Sequence, residues 1–232
     1  MSRKTIYFHH SLLVFLLLIF LAAAVVGLVF FGVVGFAFAN VGFTPLVILL
    51  LLAASLLGSA VNIPLWKVRT SVPMIREDYV SALGMTYRIP RVEYGQTVTT
   101  IAVNVGGALI PTAVSVYLLF KADPSTVLYS LVGIGVVTLV TRAISRPVKG
   151  VGIVTPALIP PVAAAAVALV LSPSQPLTTA YASGVLGTLI GADLLNLRVI
   201  PKLGAPVASI GGAGTFDGVF LSGIIGVLIA GI

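Results

Sequence analysis

The chain has no cysteine and very few charged residues. The absence of cysteine excludes disulfides, thiolate nucleophiles and cysteine-ligated metal sites. Charged residues make up only 8% of the 232 residues, whereas 59% are hydrophobic and the mean hydropathy is +1.18. A soluble domain carries about 25% charge, so this composition excludes a soluble globular protein. It predicts a multi-pass protein of the cell membrane, with the lipid bilayer as its first partner.

Acidic residues are the scarcest charged type, six against 13 basic residues, which leaves a net charge of +7. A positive balance of this kind can indicate a protein that binds nucleic acid. Here, however, the basic residues stand in short segments between apolar runs, a pattern that reflects membrane orientation. We therefore expect no nucleic acid partner. No Walker, HExxH or serine-elbow motif is present, and we expect no cofactor and no metal.

The apolar runs are long enough to cross a bilayer several times. A transmembrane helix needs about 20 mostly apolar residues, and seven stretches approach or exceed that length. We predict an all-α polytopic transmembrane helix bundle that forms one membrane domain over residues 1–232. Its spans are predicted at residues 11–37, 43–64, 98–120, 125–143, 154–172, 176–197 and 214–232.

The distribution of basic residues predicts the orientation of the bundle. With the N-terminus in the cytoplasm, 12 of the 13 basic residues fall in inner segments, and only Lys121 falls outside. This asymmetry predicts an N-in, C-out topology. The largest cytoplasmic loop covers residues 65–97, which we expect to be solvated and to touch anionic lipid. The alternative is that residues 85–94 within it form a short interfacial hairpin.

Asp193 and Asp217 are the most informative residues because both stand at predicted membrane depth. An ionisable side chain at the centre of a membrane helix costs roughly 2.5–3.5 kcal/mol, so it usually has a partner or a function. Asp193 lies near the inner end of one predicted span, and Asp217 lies near the start of the next. Neighbouring helices pack about 8–10 Å apart, so we expect the two carboxyl groups to face one another.

The segment between the two aspartates, residues 198–214, is mostly apolar and rich in glycine and proline. This composition predicts a re-entrant loop that dips back into the bundle before the last span. Asn104 is another polar residue within an apolar run, beside two glycines and before Pro111. A polar side chain there must be satisfied, and we expect it to line a polar cavity.

The residues alone leave three functions open for the aspartates. Two facing carboxylates can share one proton, so that one acts as a base toward water while the other donates a hydrogen bond. The pair could instead couple the movement of an ion or proton in a transporter. A structural role is the third alternative, in which an aspartate caps a helix or pairs with a basic residue.

Four stretches of the chain resemble a family of prokaryotic membrane proteins known as DUF1614. They cover residues 104–111, 145–150, 187–197 and 211–218. Both aspartates stand in glycine-containing parts of these stretches. The resemblance implies an integral membrane protein and brings no established function.

The layout of the aspartates is also similar to that of presenilin-type intramembrane proteases. Those enzymes carry one catalytic aspartate on an inward-running helix and a second in a Gly-x-Gly-Asp motif at the start of the next helix. Asp193 corresponds to the first and Asp217 to the second, although Thr215 and Phe216 lengthen the glycine motif. Their Pro-Ala-Leu motif has its counterpart at residues 156–158, before the aspartates instead of after them.

This similarity implies a candidate intramembrane hydrolase that cleaves peptides, with Asp193 and Asp217 as the catalytic dyad. The substrate would be a transmembrane peptide, and the site would lie in the cytoplasmic half of the bilayer. The residues implied to contact substrate are Pro156, Ala157, Leu158, Gly212, Gly214 and Asn104. The alternatives are a small ion- or proton-coupled transporter, whose partner is the transported ion, and a non-catalytic lipid-binding or scaffold protein.

Cysteine labelling tests the orientation, because the chain offers a cysteine-free background. Asp78→Cys should react with a membrane-impermeant maleimide only after the inner face is exposed, whereas Ile232→Cys should react in intact cells. The reason is the concentration of basic residues in the inner segments. Labelling of position 78 from outside intact cells would contradict the predicted topology.

Overall fold

The computed structural model describes residues 10–82, 85–149, 152–212 and 217–232. These residues form a mostly helical protein, in which seven α-helices follow one another in the order of the seven predicted apolar stretches. They are α1 His10–Asn40, α2 Pro45–Gly58, α3 Ile110–Lys121, α4 Pro124–Ile144, α5 Ile159–Leu171, α6 Pro176–Thr188 and α7 Gly218–Ala230. Gly214, which we predicted to contact substrate, lies outside the described residues.

Proline begins several of these helices. Pro45, Pro124 and Pro176 stand in the first turns of α2, α4 and α6. A backbone N–H in the first turn has no partner within the helix, so proline loses no hydrogen bond there, and its fixed φ is already helical.

The helices differ in length. α4, and α1 from Val14 onward, are long and apolar enough to cross a membrane. The helices α2, α5 and α7 are apolar but contain only 14, 13 and 13 residues.

Helix α1 presents much of its apolar surface outward. Phe15, Leu18 and Val29 are exposed, and none of its most apolar window is buried against protein. Only the last part of the helix packs into the core, where Val34 and Phe38 are buried. Apolar surface in water costs about 25 cal/mol per Å², so the outer face of α1 is suited to lipid.

Helix α6 lies at the centre of the bundle and contacts α3, α4, α5 and α7. Glycines permit these contacts, since a Cβ at Gly184 would meet the Ser222 backbone and one at Gly187 would meet the Val137 side chain. Small residues allow membrane helices to approach closely. Thr188 also donates a hydrogen bond of 2.9 Å to the Ser222 hydroxyl, which links α6 to α7.

A long β-hairpin interrupts the helices. Strand β1 (Asn62–Ala82) pairs antiparallel with β2 (Met85–Asn104), in a register that opposes Asn62 to Asn104 and Ala82 to Met85. Strands of 21 and 20 residues extend about 65–70 Å at a rise of about 3.3 Å per residue.

The chain is mostly helical as predicted, but the prediction of an all-α fold is incomplete. Residues 65–82 and 85–97, which we expected to be a solvated loop, belong to this hairpin, which is far longer than the alternative hairpin at residues 85–94.

Two predicted spans include parts of this hairpin and its approach. The span 43–64 extends beyond the end of α2 at Gly58, and the span 98–120 begins with residues of β2. A continuous apolar run does not distinguish a buried strand from a helix. Residues 97–103 are almost all β-branched, which favours the strand, and Ile101 and Ala102 are buried there.

The segment after α6 returns to this sheet. Strand β5 (Val207–Ile210) runs parallel to the end of β2 and pairs with it from Thr100 to Val103. Just before it, the Thr99 hydroxyl donates a hydrogen bond of 2.8 Å to the Ala205 carbonyl. The segment predicted as a re-entrant loop therefore packs against the protein through a strand, which we did not predict.

A smaller sheet connects α4 to α5. Strands β3 (Arg146–Val148) and β4 (Gly152–Val154) form an antiparallel pair. The predicted span 154–172 therefore begins too early, since α5 starts at Ile159. Pro156 disfavours a helical conformation for the residue before it, which explains the later start.

The π-helix Val105–Leu109 joins β2 to α3 and brings α2 against them. Asn104 caps it, because its Oδ1 accepts a hydrogen bond of 2.7 Å from the Gly107 N–H. The Ser55 hydroxyl of α2 donates a hydrogen bond of 2.8 Å to the Gly106 carbonyl. A Cβ at Gly106 would overlap the Ser55 carbonyl oxygen, so glycine is required where α2 crosses this turn.

Alanine substitution tests this junction. Gly106→Ala should lower the free energy of unfolding by about 1–3 kcal/mol, because the added methyl group must displace the α2 backbone. Thermal unfolding in detergent measures the effect. Gly135→Ala on α4 is the control, since a Cβ at Gly135 meets no atom within 4 Å. Equal melting temperatures for the two variants would show that the junction is not tightly packed.

Candidate functional site

Asp193 and Asp217 line one cavity, which has a volume of about 170 Å³. It lies where the chain leaves the α6 region and where α7 begins. Most of the remaining wall comes from the strands β4 and β5 and from the turn Ile200–Leu203. The lining residues besides the aspartates are Gly152, Ile153, Ile200, Leu203, Ala205, Val207, Ala208, Ser209 and Gly212.

Asp193 is placed by a change of helix type after α6. The helix widens into a π-helix, Leu189–Asp193, and then tightens into a short 3₁₀ turn. Asn196 ends the regular helix, because its Nδ2 donates to the carbonyls of Gly191 (3.2 Å) and Ala192 (2.8 Å). π-Helical turns inside helices often occur at functional sites.

The Asp193 carboxylate is held by the backbone after β5. Its Oδ2 accepts a hydrogen bond of 2.7 Å from the Gly211 N–H. Gly211 and Gly212 have φ angles of 80° and 78°, a left-handed conformation that glycine adopts at little cost. Two such residues in succession turn the chain from β5 toward α7. This turn brings the Gly211 amide to Asp193.

Asp217 stands at the position just before α7. Its backbone carbonyl accepts a hydrogen bond of 2.9 Å from the Leu221 N–H, while its side chain makes no capping hydrogen bond. The capping interpretation of Asp217 is therefore wrong. A Cβ at Gly212 would overlap the Asp217 carboxyl group. Gly212 thus lies directly against this carboxyl group, and the absence of a side chain leaves the space that Asp217 occupies.

No salt bridge involves either aspartate in the part of the chain that the structure describes. Pairing with a nearby basic residue, the other structural alternative, is therefore not observed there. Two carboxylates that line one small cavity repel each other when both are ionised. Among the described residues, no group of three or more His, Asp or Glu side chains could hold a metal ion.

The other predicted site residues lie away from this cavity. Asn104 is fully buried, and its side chain makes hydrogen bonds to the protein at the π-helix junction. Residues 156–158 are exposed before α5, and Pro156 lines a separate cavity beside Arg146 and Val154. The structure therefore brings together Asp193, Asp217 and Gly212, but neither Asn104 nor the Pro-Ala-Leu sequence joins them.

Two strands at the cavity were missed by sequence reasoning. Strand β5 is the edge of its three-stranded sheet, and β4 belongs to a two-stranded sheet, so each has an unpaired side. Ile153 of β4 and residues 207–209 of β5 line the cavity. The signal for β5 was present, because Val207 and Ile210 are β-branched and stand between Pro206 and Gly211, a pattern typical of a short strand.

Comparison with known proteins identifies the family. The family model described as "Protein of unknown function (DUF1614)" matches residues 56–229. The chain belongs to the DUF1614 family. The resemblance predicted from the sequence is thereby confirmed, and the DUF1614 region includes both aspartates, β5 and the π-helical turns. No curated protein and no solved structure matches the chain significantly, so a relationship to presenilin-type proteases is not shown.

Two glycine substitutions test the contact between Gly212 and Asp217. Gly204 and Gly212 have similar φ angles of 80° and 78°, but only at Gly212 would a Cβ meet neighbouring atoms. Alanine in this conformation costs about 1–2 kcal/mol at either position. Gly212→Ala should cost about 1–3 kcal/mol more, because it must displace the Asp217 carboxyl group. Thermal unfolding of the two variants measures the difference, and equal losses of stability would contradict the contact.

Proposed function

We propose that this DUF1614 protein is an aspartate-dependent intramembrane hydrolase that cleaves peptides, with Asp193 and Asp217 as its dyad. The observation that carries this proposal is that both carboxyl groups line one small cavity without a salt bridge in the described residues. Unpaired ionisable groups at membrane depth are costly, so they indicate function.

The chemistry needs the two aspartates in different protonation states. The ionised aspartate accepts a proton from a water molecule, whose oxygen attacks the carbonyl carbon of the peptide bond. The protonated aspartate donates a hydrogen bond to the carbonyl oxygen, which gains negative charge in the tetrahedral intermediate. Collapse of this intermediate breaks the C–N bond, and a proton passes from the dyad to the leaving amine.

The cavity favours an extended peptide over a helical one. A helix with its side chains is about 10–12 Å across, which is too wide for a cavity of about 170 Å³. An extended chain could instead pair its backbone with an unpaired strand edge. Both β4 and β5 offer such an edge at the cavity. We therefore expect a transmembrane substrate to unwind before cleavage.

The membrane arrangement that we propose is seven spans, N-in and C-out, with the site in the cytoplasmic half of the cell membrane. It is supported by seven apolar helices in sequence order and by the 12 basic residues on the inner side. A helix of 13 residues, such as α7, rises only about 20 Å. The shorter helices then need local thinning of the bilayer or apolar flanking segments at membrane depth.

A proton- or ion-coupled transporter is the second candidate. The observation that favours it is that α6 is followed by a π-helix that ends at Asp193, a residue without a salt bridge among the described residues. Broken helices often mark ion sites in transporters. In that case the aspartates bind and release the transported ion or proton. A non-catalytic lipid-binding or scaffold protein would need neither carboxylate for its activity.

Asparagine substitutions separate these functions. Asp193→Asn or Asp217→Asn alone should abolish cleavage of a transmembrane reporter peptide in liposomes, because one shared proton requires both carboxyl groups. The wild-type rate should show a bell-shaped pH dependence, which reports the coupled pair. Asp123→Asn is the matched control, because Asp123 lies at the other end of the bundle, where its Oδ2 accepts a hydrogen bond of 3.1 Å from Gln175.

The outcomes are distinct for each function. A transporter should cleave no reporter at any pH, while the same two asparagine variants should lose pH-dependent flux in liposomes. A scaffold should show neither activity, and the variants should behave as the wild type. Folded wild-type protein that cleaves no reporter at any pH from about 4 to about 9 would overturn the hydrolase proposal.

A further inference from the structure

A second groove, with a volume of about 330 Å³, lies between β1 and the segment that follows α6. One side is formed by alternate residues of β1, Trp66, Val68 and Thr70. Successive side chains of a strand point to opposite faces, so Lys67 and Arg69 point away from it. The other side carries Arg198 and Lys202. None of the described residues that line the groove is acidic.

The side chains of Arg198 and Lys202 are both exposed and make no ion pair or hydrogen bond with the described residues. They are four residues apart and are held together by the turn Ile200–Leu203. Two unpaired cations that line one groove attract an anion. A guanidinium and an ammonium beside a threonine hydroxyl offer several hydrogen-bond donors, the set that phosphate oxygens accept.

Trp66 indicates where the groove lies relative to a bilayer. Trp66 is 47% exposed although its neighbours in the groove include apolar residues. Tryptophan is enriched at the level of the lipid head groups, where one part of the ring is apolar and the N–H is wet. Val68 and the buried Pro201 add apolar surface beside the two cations. A ligand that combines an anionic group with apolar parts fits these walls.

We propose that this groove binds a phosphate group, which either an anionic phospholipid head group or a soluble phosphate can supply. The site consists of Arg198, Lys202, Trp66 and Thr70. It is separate from the aspartate cavity and does not depend on the proposed hydrolase activity.

The chain contains a single tryptophan, so tryptophan fluorescence reports on this groove alone. Purified protein in neutral detergent is titrated with short-chain phosphatidylglycerol, short-chain phosphatidylcholine and inorganic phosphate, and binding is measured in parallel by calorimetry. Phosphatidylglycerol or inorganic phosphate should bind saturably and change the Trp66 emission, and phosphatidylcholine should bind more weakly. Binding of the lipid alone identifies a head-group site, and equal binding of inorganic phosphate identifies a site for a soluble anion.

Charge substitutions locate the site. The double variant Arg198→Gln with Lys202→Gln should weaken binding at least about tenfold, because charge-assisted hydrogen bonds are lost. The matched control, Lys67→Gln with Arg69→Gln, makes the same change in net charge on the opposite face of β1 and should stay within about threefold of the wild type. Arg198→Lys keeps the positive charge at this position, so this variant should still bind the anion measurably. Such binding would show that a substitution at residue 198 leaves the site folded.

Three results would overturn the proposal. The first is the absence of calorimetric binding by every ligand to the wild-type protein. The second is an equal loss of affinity in the two double variants, which would mean general attraction to a basic surface. The third is saturable binding without any change at Trp66 in either emission or quenching, which would place the anion elsewhere.

Discussion

The backbone of Gly211 lies against the backbone of Gly107, an approach that leaves no room for a Cβ at either residue. This contact fixes the end of β5 to the π-helix that begins the α3 region. The rest of the site depends on it, because the next groups along the chain are the Gly211 amide that binds Asp193 and the Gly212 backbone that lies beside Asp217. A shift of β5 would therefore move both carboxyl groups.

The aspartates come from separate parts of the chain that converge at one place. Asp193 ends a π-helical turn after α6, and Asp217 precedes α7. Among the described residues, the Gly211 N–H donates a hydrogen bond to the Asp193 carboxyl group. Both aspartates are partly buried, and they line the same cavity.

The turn Ile200–Leu203 connects this site to the basic groove. Ile200 and Leu203 line the aspartate cavity, whereas Pro201 and Lys202 line the groove on the other side. Because these four residues form one short 3₁₀ turn, the aspartate cavity and the groove share a wall.

The sequence by itself determined the order of the seven apolar helices and the DUF1614 membership, and it predicted a membrane protein. Composition and apolar periodicity are local properties, so these conclusions needed no knowledge of packing. The long hairpin, the strand β5 and the true surroundings of Asn104 were decided by tertiary structure. The periodicity of a short apolar run does not distinguish a buried helix from a buried strand. Thr100–Val103 pairs with residues 207–210, more than 100 positions later in the chain. The cavity likewise forms only where those distant segments meet.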